Sequence, residues 1–170
     1  YEGGKWCARG GKWSTSPVER GEGMLIGEYS HTVDAKGRII MPAKWRGELG
    51  DKFVITKSFD GCLGAYPAAE WEKFAGRLMK LPPADKDARR LSRFFLSRAV
   101  ECEVDPQSRV VLPQNLREFA QITKEIVSVG RGNFVEIWSK AAWEVYSSKS
   151  EYLDDEMEDA MMKFDVWQND

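Results

Sequence analysis

The sequence predicts an α+β protein, mainly β, built from two tandem, pseudo-symmetric half-units with flanking helices. Three observations predict this class. A ten-residue segment at residues 33–42 recurs at residues 104–113. Each copy is followed by the same succession of short strand-like and helix-like patterns. Gly-containing pairs, typical of tight turns, separate short runs rich in β-branched residues. We therefore expect one half-unit of fold to occur twice in the chain.

The repeated segment reads VDAKGRIIMP in the first copy and VDPQSRVVLP in the second. With one inserted residue the match continues downstream, where Tyr66 meets Trp138 and Trp71 meets Trp143. Residues 1–23 are Gly-rich, lack apolar periodicity and precede Met24. The chain therefore divides into a leader that is disordered, was added for expression or was translated upstream (1–23), a first half-unit (24–83), a linking helix (84–98), a second half-unit (99–149) and an acidic tail or helix (150–170).

The first half-unit reads as strand, turn, strand, short helical turn, strand, tight turn, strand and helix. Asp60-Gly61 is the tight turn. A helix beginning at Pro67 and ending before Pro82-Pro83 has its apolar residues at helical spacing, which predicts a face packed on the core. Those residues are Trp71, Phe74, Ala75 and Leu78. The strands are predicted near residues 25–33, 38–41, 53–57 and 62–66.

The linking helix has an apolar side and a basic side. The apolar side consists of Ala88, Leu91, Phe94 and Phe95, and the basic residues are Arg89, Arg90, Arg93 and Arg98. These arginines either contact phosphate or form a solvated face that pairs with neighbouring acids.

The second half-unit repeats the scheme, with Gly132-Asn133 as its tight turn and Ser139 as the N-cap of a helix through Trp143 and Tyr146. Its strands are predicted near residues 99–104, 109–112, 125–129 and 134–138. The tail carries apolar residues at roughly helical spacing, so it is predicted to be an amphipathic helix that is either solvated or docked on a neighbouring subunit. Those residues are Leu153, Met157, Met161 and Phe164.

The net charge of −2 conceals an asymmetry between the tail and the rest of the chain. Residues 150–170 contain eight acidic residues and one basic residue, against 24 basic and 19 acidic residues elsewhere. The basic body permits a polyanionic partner without requiring one. No 18-residue apolar run and no basic-apolar leader are present, so we expect neither membrane association nor secretion. The three isolated cysteines predict no disulfide framework or zinc site, and Cys62 and Cys102 are expected in the core.

Each repeat contains a turn with an Asp at its first position. Asp34 and Gly37 suit a type I turn, because the carboxylate accepts backbone N–H groups and Gly tolerates positive φ. In the second copy Asp105 is followed by Pro106, whose fixed φ suits the second position. We expect the Asp to face inward and the Arg that follows each turn to face outward.

The two arginines after the turns are Arg38 and Arg109. Strand alternation places Arg38 with Ile40 on one face of its strand and Ile39 on the other. A guanidinium at the mouth of a rigid hairpin can contact a guanine edge or a phosphate. The alternative is that Asp and Arg only brace the hairpin through a local ion pair.

The sequence lacks the residues that enzymes usually assemble for catalysis. His31 is the single histidine, and it lies in an alternating strand where a structural role is expected. No metalloprotease, phosphate-loop, dinucleotide or nucleophile-elbow motif occurs. We expect no enzymatic activity, no cofactor, no metal site and no small-molecule substrate. The rival hypothesis to DNA binding is a non-enzymatic, self-assembling protein-interaction module.

The paired D-x-x-x-R-x-x-x-P segments, Asp34 to Pro42 and Asp105 to Pro113, resemble those of the bacterial MraZ family, which is related to the AbrB-type swapped-hairpin regulators. The resemblance extends over about residues 24–165. It implies a double-split β-barrel and a ring-like homo-oligomer. It also implies sequence-specific binding of double-stranded DNA at direct repeats in the promoter of the division and cell-wall gene cluster, usually as a repressor, in the cytoplasm and associated with the nucleoid.

Carried over by position, the resemblance implies that Arg38 contacts bases and that Arg109 is its counterpart. Contacts with the DNA backbone are implied for Lys36, Lys44, Arg46 and Arg117. Gln107 replaces Lys36 in the second copy, and Gln114 lies near the position of Lys44. The first copy should therefore contribute more of the electrostatic attraction.

Overall fold

The computed structural model of the chain describes residues 23–150 and 154–166. Residues 1–22 of the predicted leader therefore lie outside the described residues, as does Leu153 of the tail. Within the described part, the order of strands and helices in each half-unit is the one expected from the sequence. The first half-unit and the linking helix comprise β1 (Glu28–Thr32), β2 (Arg38–Ile40), α1 (Ala43–Leu49), β3 (Lys52–Lys57), a 3-10 turn (Phe59–Gly61), β4 (Leu63–Pro67), α2 (Ala68–Met79) and α3 (Lys86–Leu96).

The second half-unit has the same order, and its strands and first helices occupy positions equivalent to those of the first. Its elements are β5 (Val100–Glu103), β6 (Arg109–Val111), α4 (Gln114–Phe119), β7 (Glu125–Gly130), β8 (Val135–Ser139) and α5 (Lys140–Ser150), followed by α6 (Asp154–Lys163).

The two half-units exchange strands. Six strands form one antiparallel sheet in the order β1-β7-β8-β4-β3-β5, so β1 of the first half-unit pairs with β7 of the second, and β5 of the second pairs with β3 of the first. The hairpins β3-β4 and β7-β8 are local, and β4 pairs with β8 at the centre. The mainly β, α+β class is confirmed, and both half-units contribute to a single core.

The expectation of a hairpin around each Asp turn is wrong. β1 and β2 pair with strands of the other half-unit, and β2 forms a separate two-stranded antiparallel sheet with β6. In this pair Ile39 lies opposite Val110, and both side chains are almost completely buried. A three-residue strand forms few backbone hydrogen bonds with any partner. When β2 pairs with β6, the apolar faces of both strands are buried against the same core.

Helices α2 and α3 pack largely as predicted. Ala75 and Leu78 of α2 are buried, and Phe74 stacks on Tyr66 with ring centroids 5.4 Å apart. On α3, Phe95 packs edge-on against Phe74 at 5.0 Å. The placement of Leu91 on the buried side is wrong, because this side chain is exposed.

The local signals at the ends of the helices also agree with the structure. Asp85 caps α3 by accepting hydrogen bonds from two backbone amides, and Ser139 caps α5 through the amide of Ala142 at 3.2 Å, as predicted. Arg89 donates to the carbonyls of Pro83 and Ala84, which is a structural role. The tail forms the predicted helix α6, but its Met157 and the following Phe164 are exposed.

Cys62 and Cys102 are buried, as expected. Burial raises the pKa of the Cys102 thiol to about 11 and also raises the pKa of Cys62. In the described residues, no helix combines the length and apolar character required to span a membrane.

His31 lies at the junction of the large sheet and the β2 strand. Its Nε2 is 2.7 Å from the Ser128 hydroxyl, and its Nδ1 is buried with no hydrogen-bond partner in the described part of the chain. Burial lowers the pKa of His31 from the ordinary value of 6.5, and the nearby backbone of Ile40 only partly opposes this shift. The folded protein therefore favours the neutral form of the His31 ring.

This burial predicts a loss of stability between about pH 7 and pH 5. A depressed folded-state pKa means that the contribution of His31 is complete above 6.5 and is lost as the pH falls through the folded pKa. Because His31 is the single histidine, urea unfolding at pH 7.5 and 5.5 isolates its effect. We expect the free energy of unfolding of His31→Gln to depend less on pH than that of the wild type. An equal loss of stability at pH 5.5 in the wild type and the variant would contradict a role for His31.

Candidate nucleic-acid interface

The first turn closes as its sequence predicts. The Gly37 amide donates to the Asp34 carbonyl at 3.0 Å, and the Asp34 amide donates to the Arg38 carbonyl at 2.9 Å. The Asp34 Oδ1 accepts from the backbone amides of Lys36 and Arg38, both at 2.9 Å, and its Oδ2 accepts from the Arg38 Nε at 2.7 Å. The carboxylate thus satisfies the turn and holds the arginine at the same time.

The second turn repeats this arrangement with different residues. The Asp105 Oδ1 accepts from the amides of Gln107 and Arg109, and its Oδ2 accepts from the Arg109 Nε, each at 2.8 Å. Pro106 occupies the second position, and Ser108 takes the fourth with φ of 63°, where the first turn has Gly37 at 76°. Two unlike sequences therefore build the same turn because both retain the Asp and the Arg.

Backbone hydrogen bonds keep both carboxylates ionised. The pKa of Asp34 is lowered chiefly by the backbone amide of Arg38, and that of Asp105 chiefly by the amide of Arg109. Each Asp–Arg ion pair is therefore present across the neutral pH range.

The brace predicted as the alternative role of Arg38 and Arg109 is present in both copies. It uses only Nε of each guanidinium, so it does not occupy the two terminal nitrogens and is compatible with ligand binding. The expectation that Asp faces inward and Arg outward is wrong in both copies. The side chain of Asp34 is 38% exposed against 23% for Arg38, and that of Asp105 is 31% exposed against 29% for Arg109. The reason is that each carboxylate accepts hydrogen bonds from two backbone amides of its own turn.

Pairing of β2 with β6 produces a four-residue outer face that we call the ribbon face: Arg38, Ile40, Arg109 and Val111. Arg38 lies opposite Val111, and Ile40 lies opposite Arg109, so the arginines occupy one diagonal and the aliphatic residues the other. Ile40 and Val111 are each 55% exposed. The alternation of residues 38–41 predicts that Ile40 lies beside Arg38, but it indicates no role for Ile40 or Val111, because neither segment by itself specifies that the two copies pair.

Arg46 and Arg117 tie the short helices to the ends of the ribbon strands. Arg46 Nε donates to the Met41 carbonyl, and Arg117 Nε donates to the Leu112 carbonyl, both at 3.0 Å. Arg46 and Arg117 therefore each make a hydrogen bond within the fold, as Arg38 and Arg109 do.

Arg117 also reaches the turn of the other half-unit. A Cβ atom built on Gly37 would lie 2.9 Å from its guanidinium carbon, and the Gly37 carbonyl accepts from the Leu112 amide at 2.8 Å. The first turn therefore brings together Lys36, Arg38 and Arg117. Lys44 is exposed on α1, and no contact described for the chain links it to either turn.

The surface around the turns carries an excess of positive charge. Apart from Lys44, the predicted residues provide five cationic side chains against the two turn carboxylates, Asp34 and Asp105. The first copy carries more positive charge because the neutral Gln107 stands in the second copy where the first has Lys36. In the described residues no group of His, Cys, Asp and Glu could hold a metal ion. The arrangement can bind a polyanion by charge and by fixed hydrogen-bond donors.

The crowding at Gly37 gives a matched test of this geometry. Gly37 and Gly61 have φ of 76° and 77°, but the space beside Gly61 is open. Replacing either by alanine incurs the left-handed penalty of about 1 kcal/mol, and at Gly37 it also displaces Arg117. Urea unfolding should show the larger loss for Gly37→Ala. Equal losses would contradict the close approach of Arg117.

Comparison with known proteins gives one family. The family model described as "MraZ protein, putative antitoxin-like" matches the chain twice, at residues 24–94 and 95–165. The two matches cover the two half-units in tandem.

Curated relatives agree with this match. The chain is 49% identical over 143 residues to the "Transcriptional regulator MraZ" of Thermoanaerobacter pseudethanolicus, covering 84% of this chain and 100% of that protein. Proteins of the same name from Ligilactobacillus salivarius and Moorella thermoacetica are each 48% identical, also over 84% of this chain and the whole of the relative.

Proposed function

The chain belongs to the MraZ family, and from this premise we propose that it is a transcriptional regulator that binds double-stranded DNA through the ribbon face and its two turns. The similar proteins are named as transcriptional regulators rather than as enzymes. The observation that carries the proposal is the pair of identically braced arginines on one exposed two-stranded ribbon.

The shape and chemistry of this ribbon support a DNA partner. The major groove of B-DNA admits a two-stranded β-ribbon, and arginine is the side chain that most often contacts guanine there. The hydrogen bond that the Arg38 Nε donates to Asp34 fixes the direction of the guanidinium, while the terminal nitrogens of Arg38 can still donate to a ligand. Arg109 is held by Asp105 in the same way. Preorganised donors lose less entropy on binding.

The remaining basic residues have a different proposed role. Lys36, Lys44, Arg46 and Arg117 contact phosphates, which position the protein on the duplex without reading its sequence. Arg117 joins the turn of the first half-unit from the second, so both half-units contribute to one DNA surface. The first copy supplies the greater part of the electrostatic attraction.

The regulatory role that we propose depends on several copies acting together. The protein forms a ring-like homo-oligomer of double-split barrels and binds direct repeats in the promoter of the division and cell-wall gene cluster. It represses that promoter and acts in the cytoplasm, in association with the nucleoid. A ring reconciles moderate charge with useful affinity, because linked sites raise the effective concentration of each subunit at the next repeat.

A second candidate function is a self-assembling protein-interaction module without DNA affinity. An exposed apolar surface favours it: Phe59 and Leu91 are exposed beside Phe94 and line a groove of about 400 Å³. Apolar surfaces of this kind often mark protein contacts. This function predicts self-association that is insensitive to salt and independent of DNA.

Equilibrium binding to DNA over a salt series separates these functions. The full chain is titrated against the fragment upstream of its own gene and against a base-scrambled fragment, between about 50 and 200 mM salt. We expect selective binding of the upstream fragment and a log–log slope near −0.9 per phosphate contacted. Absence of binding to both fragments, together with stable oligomers, would contradict DNA binding and favour the interaction module.

A further inference from the structure

Two aliphatic side chains on the ribbon face have no role in the core. Ile40 and Val111 occupy outward positions of β2 and β6, while their neighbours Ile39 and Val110 are buried beneath. Solvent-facing strand positions are usually polar. An apolar residue at the equivalent outward position of both half-units therefore requires a reason other than packing within the chain.

We propose that Ile40 and Val111 form a recognition surface for thymine methyl groups in the major groove. The inference rests on the proposed DNA binding and adds a base preference to it. The C5-methyl group is the only apolar feature that a base pair presents in the major groove, and apolar side chains contact it. Ile40 and Val111 are thus specificity-determining residues for the same site that the two arginines occupy.

The spacing of the ribbon face suits neighbouring base pairs. Side chains directly opposite one another in an antiparallel pair lie about 4.5–5.5 Å apart, and stacked base pairs are about 3.4 Å apart. Because Arg38 lies opposite Val111 and Arg109 opposite Ile40, an arginine on a guanine places an aliphatic group near an adjacent base pair. The expected preference is for thymine within one or two steps of a guanine.

The side chains are also held in position for such a contact. Ile and Val are β-branched, so their χ1 angles are restricted. The flanking arginines are fixed by Asp34 and Asp105, and the ribbon rests on the buried Ile39 and Val110. A rigid apolar surface loses little entropy when it meets a methyl group.

Uracil provides a direct test, because it differs from thymine only in lacking the methyl group. The full chain is titrated against its upstream fragment prepared with thymine and with uracil in its place. Each methyl buried by the wild type is expected to strengthen binding about fourfold. In the double variant Ile40→Ala/Val111→Ala the ratio of the two affinities should fall to about one.

Val145→Ala is the matched control for this test. Val145 lies on α5 and is 57% exposed, against 55% for Val111, so the same valine-to-alanine substitution removes the same group from a helix outside the ribbon face. The control should retain the wild-type ratio of thymine to uracil affinity. All three substituted positions are exposed, so circular dichroism and light scattering should show an unchanged fold and assembly for both variants.

Each outcome decides the inference. Equal binding of the thymine and uracil fragments by the wild type would overturn it while leaving the proposed DNA binding intact. Loss of assembly in the double variant with an unchanged affinity ratio would assign the two residues to self-association and would also overturn it. Failure to bind either fragment would instead refute the proposed function on which the inference rests.

Discussion

Replacing Arg38 and Arg109 together by alanine is expected to weaken binding to the upstream DNA about a hundredfold. Each arginine contact with a base contributes about 1 to 3 kcal/mol. The substitution also leaves the Asp34 and Asp105 carboxylates without their ion-pair partners at the DNA surface, which adds repulsion. Because these arginines are proposed to read bases, the preference for upstream over scrambled DNA should fall as well. The measurement is fluorescence anisotropy with both fragments.

A charge-matched variant separates base reading from general attraction. Arg90→Ala/Arg93→Ala removes two positive charges from exposed positions of α3, which is not part of the ribbon face. We expect it to reduce affinity for both fragments slightly and equally, with the preference retained. If the two double variants lost affinity and preference to the same extent, the ribbon face would not be the reading surface.

Replacing Trp45 by alanine is expected to lower the free energy of unfolding by about 3 to 5 kcal/mol. Trp45 is 1% exposed in the centre of the shared core, packs edge-on against Tyr29 at 4.6 Å, and donates from Nε1 to the Ile26 carbonyl at 2.9 Å. Alanine leaves a cavity beside the first turn of α1 and removes the donor that pairs with the Ile26 carbonyl. Urea unfolding followed by far-ultraviolet circular dichroism measures the loss.

Trp143→Ala is a close control for Trp45→Ala. Trp143 also packs beside a tyrosine, Tyr146, and also donates an Nε1 hydrogen bond, to Glu28 at 2.9 Å, but it is only half-buried on α5. We expect Trp143→Ala to lower the free energy of unfolding by about half as much as Trp45→Ala, or by less. A loss as large as that of Trp45→Ala would mean that the core does not centre on the junction of the two half-units.

Local features of the fold were predictable from short segments of the sequence. Asp34 and Asp105 each stand at the first position of a turn, and the hydrogen bonds expected of that position are present in both. The apolar spacing of α2 and the cap at Ser139 were likewise predictable. These features depend on residues within a few positions of one another, where backbone preference and side-chain chemistry act directly.

The long-range pairing was not predictable in the same way. The alternation in residues 38–41 suits a local hairpin with β1 as well as it suits β6, because alternation specifies which face is buried and not which strand is the partner. The exposed position of Leu91 likewise depends on how α3 packs in the folded chain. The candidate site was therefore predictable as two separate turns but not as one ribbon.

DNA binding is expected to depend on the pairing of the two half-units. The ribbon face exists only when β2 of one half-unit pairs with β6 of the other, and Arg117 completes the first turn from the second half-unit. The proposed DNA surface and the shared core consequently form together. A substitution that separates the half-units, such as Trp45→Ala, should reduce DNA binding in proportion to the unfolded fraction.

The most direct test of the DNA-binding ribbon is hydrogen–deuterium exchange of the full chain with and without its upstream DNA. A DNA-binding ribbon predicts that slower exchange on DNA addition concentrates in residues 34–41 and 105–112, including the exposed turn amides, and that the scrambled fragment has a weaker effect. Protection confined to α3, with the exchange of both turns unchanged, would contradict it.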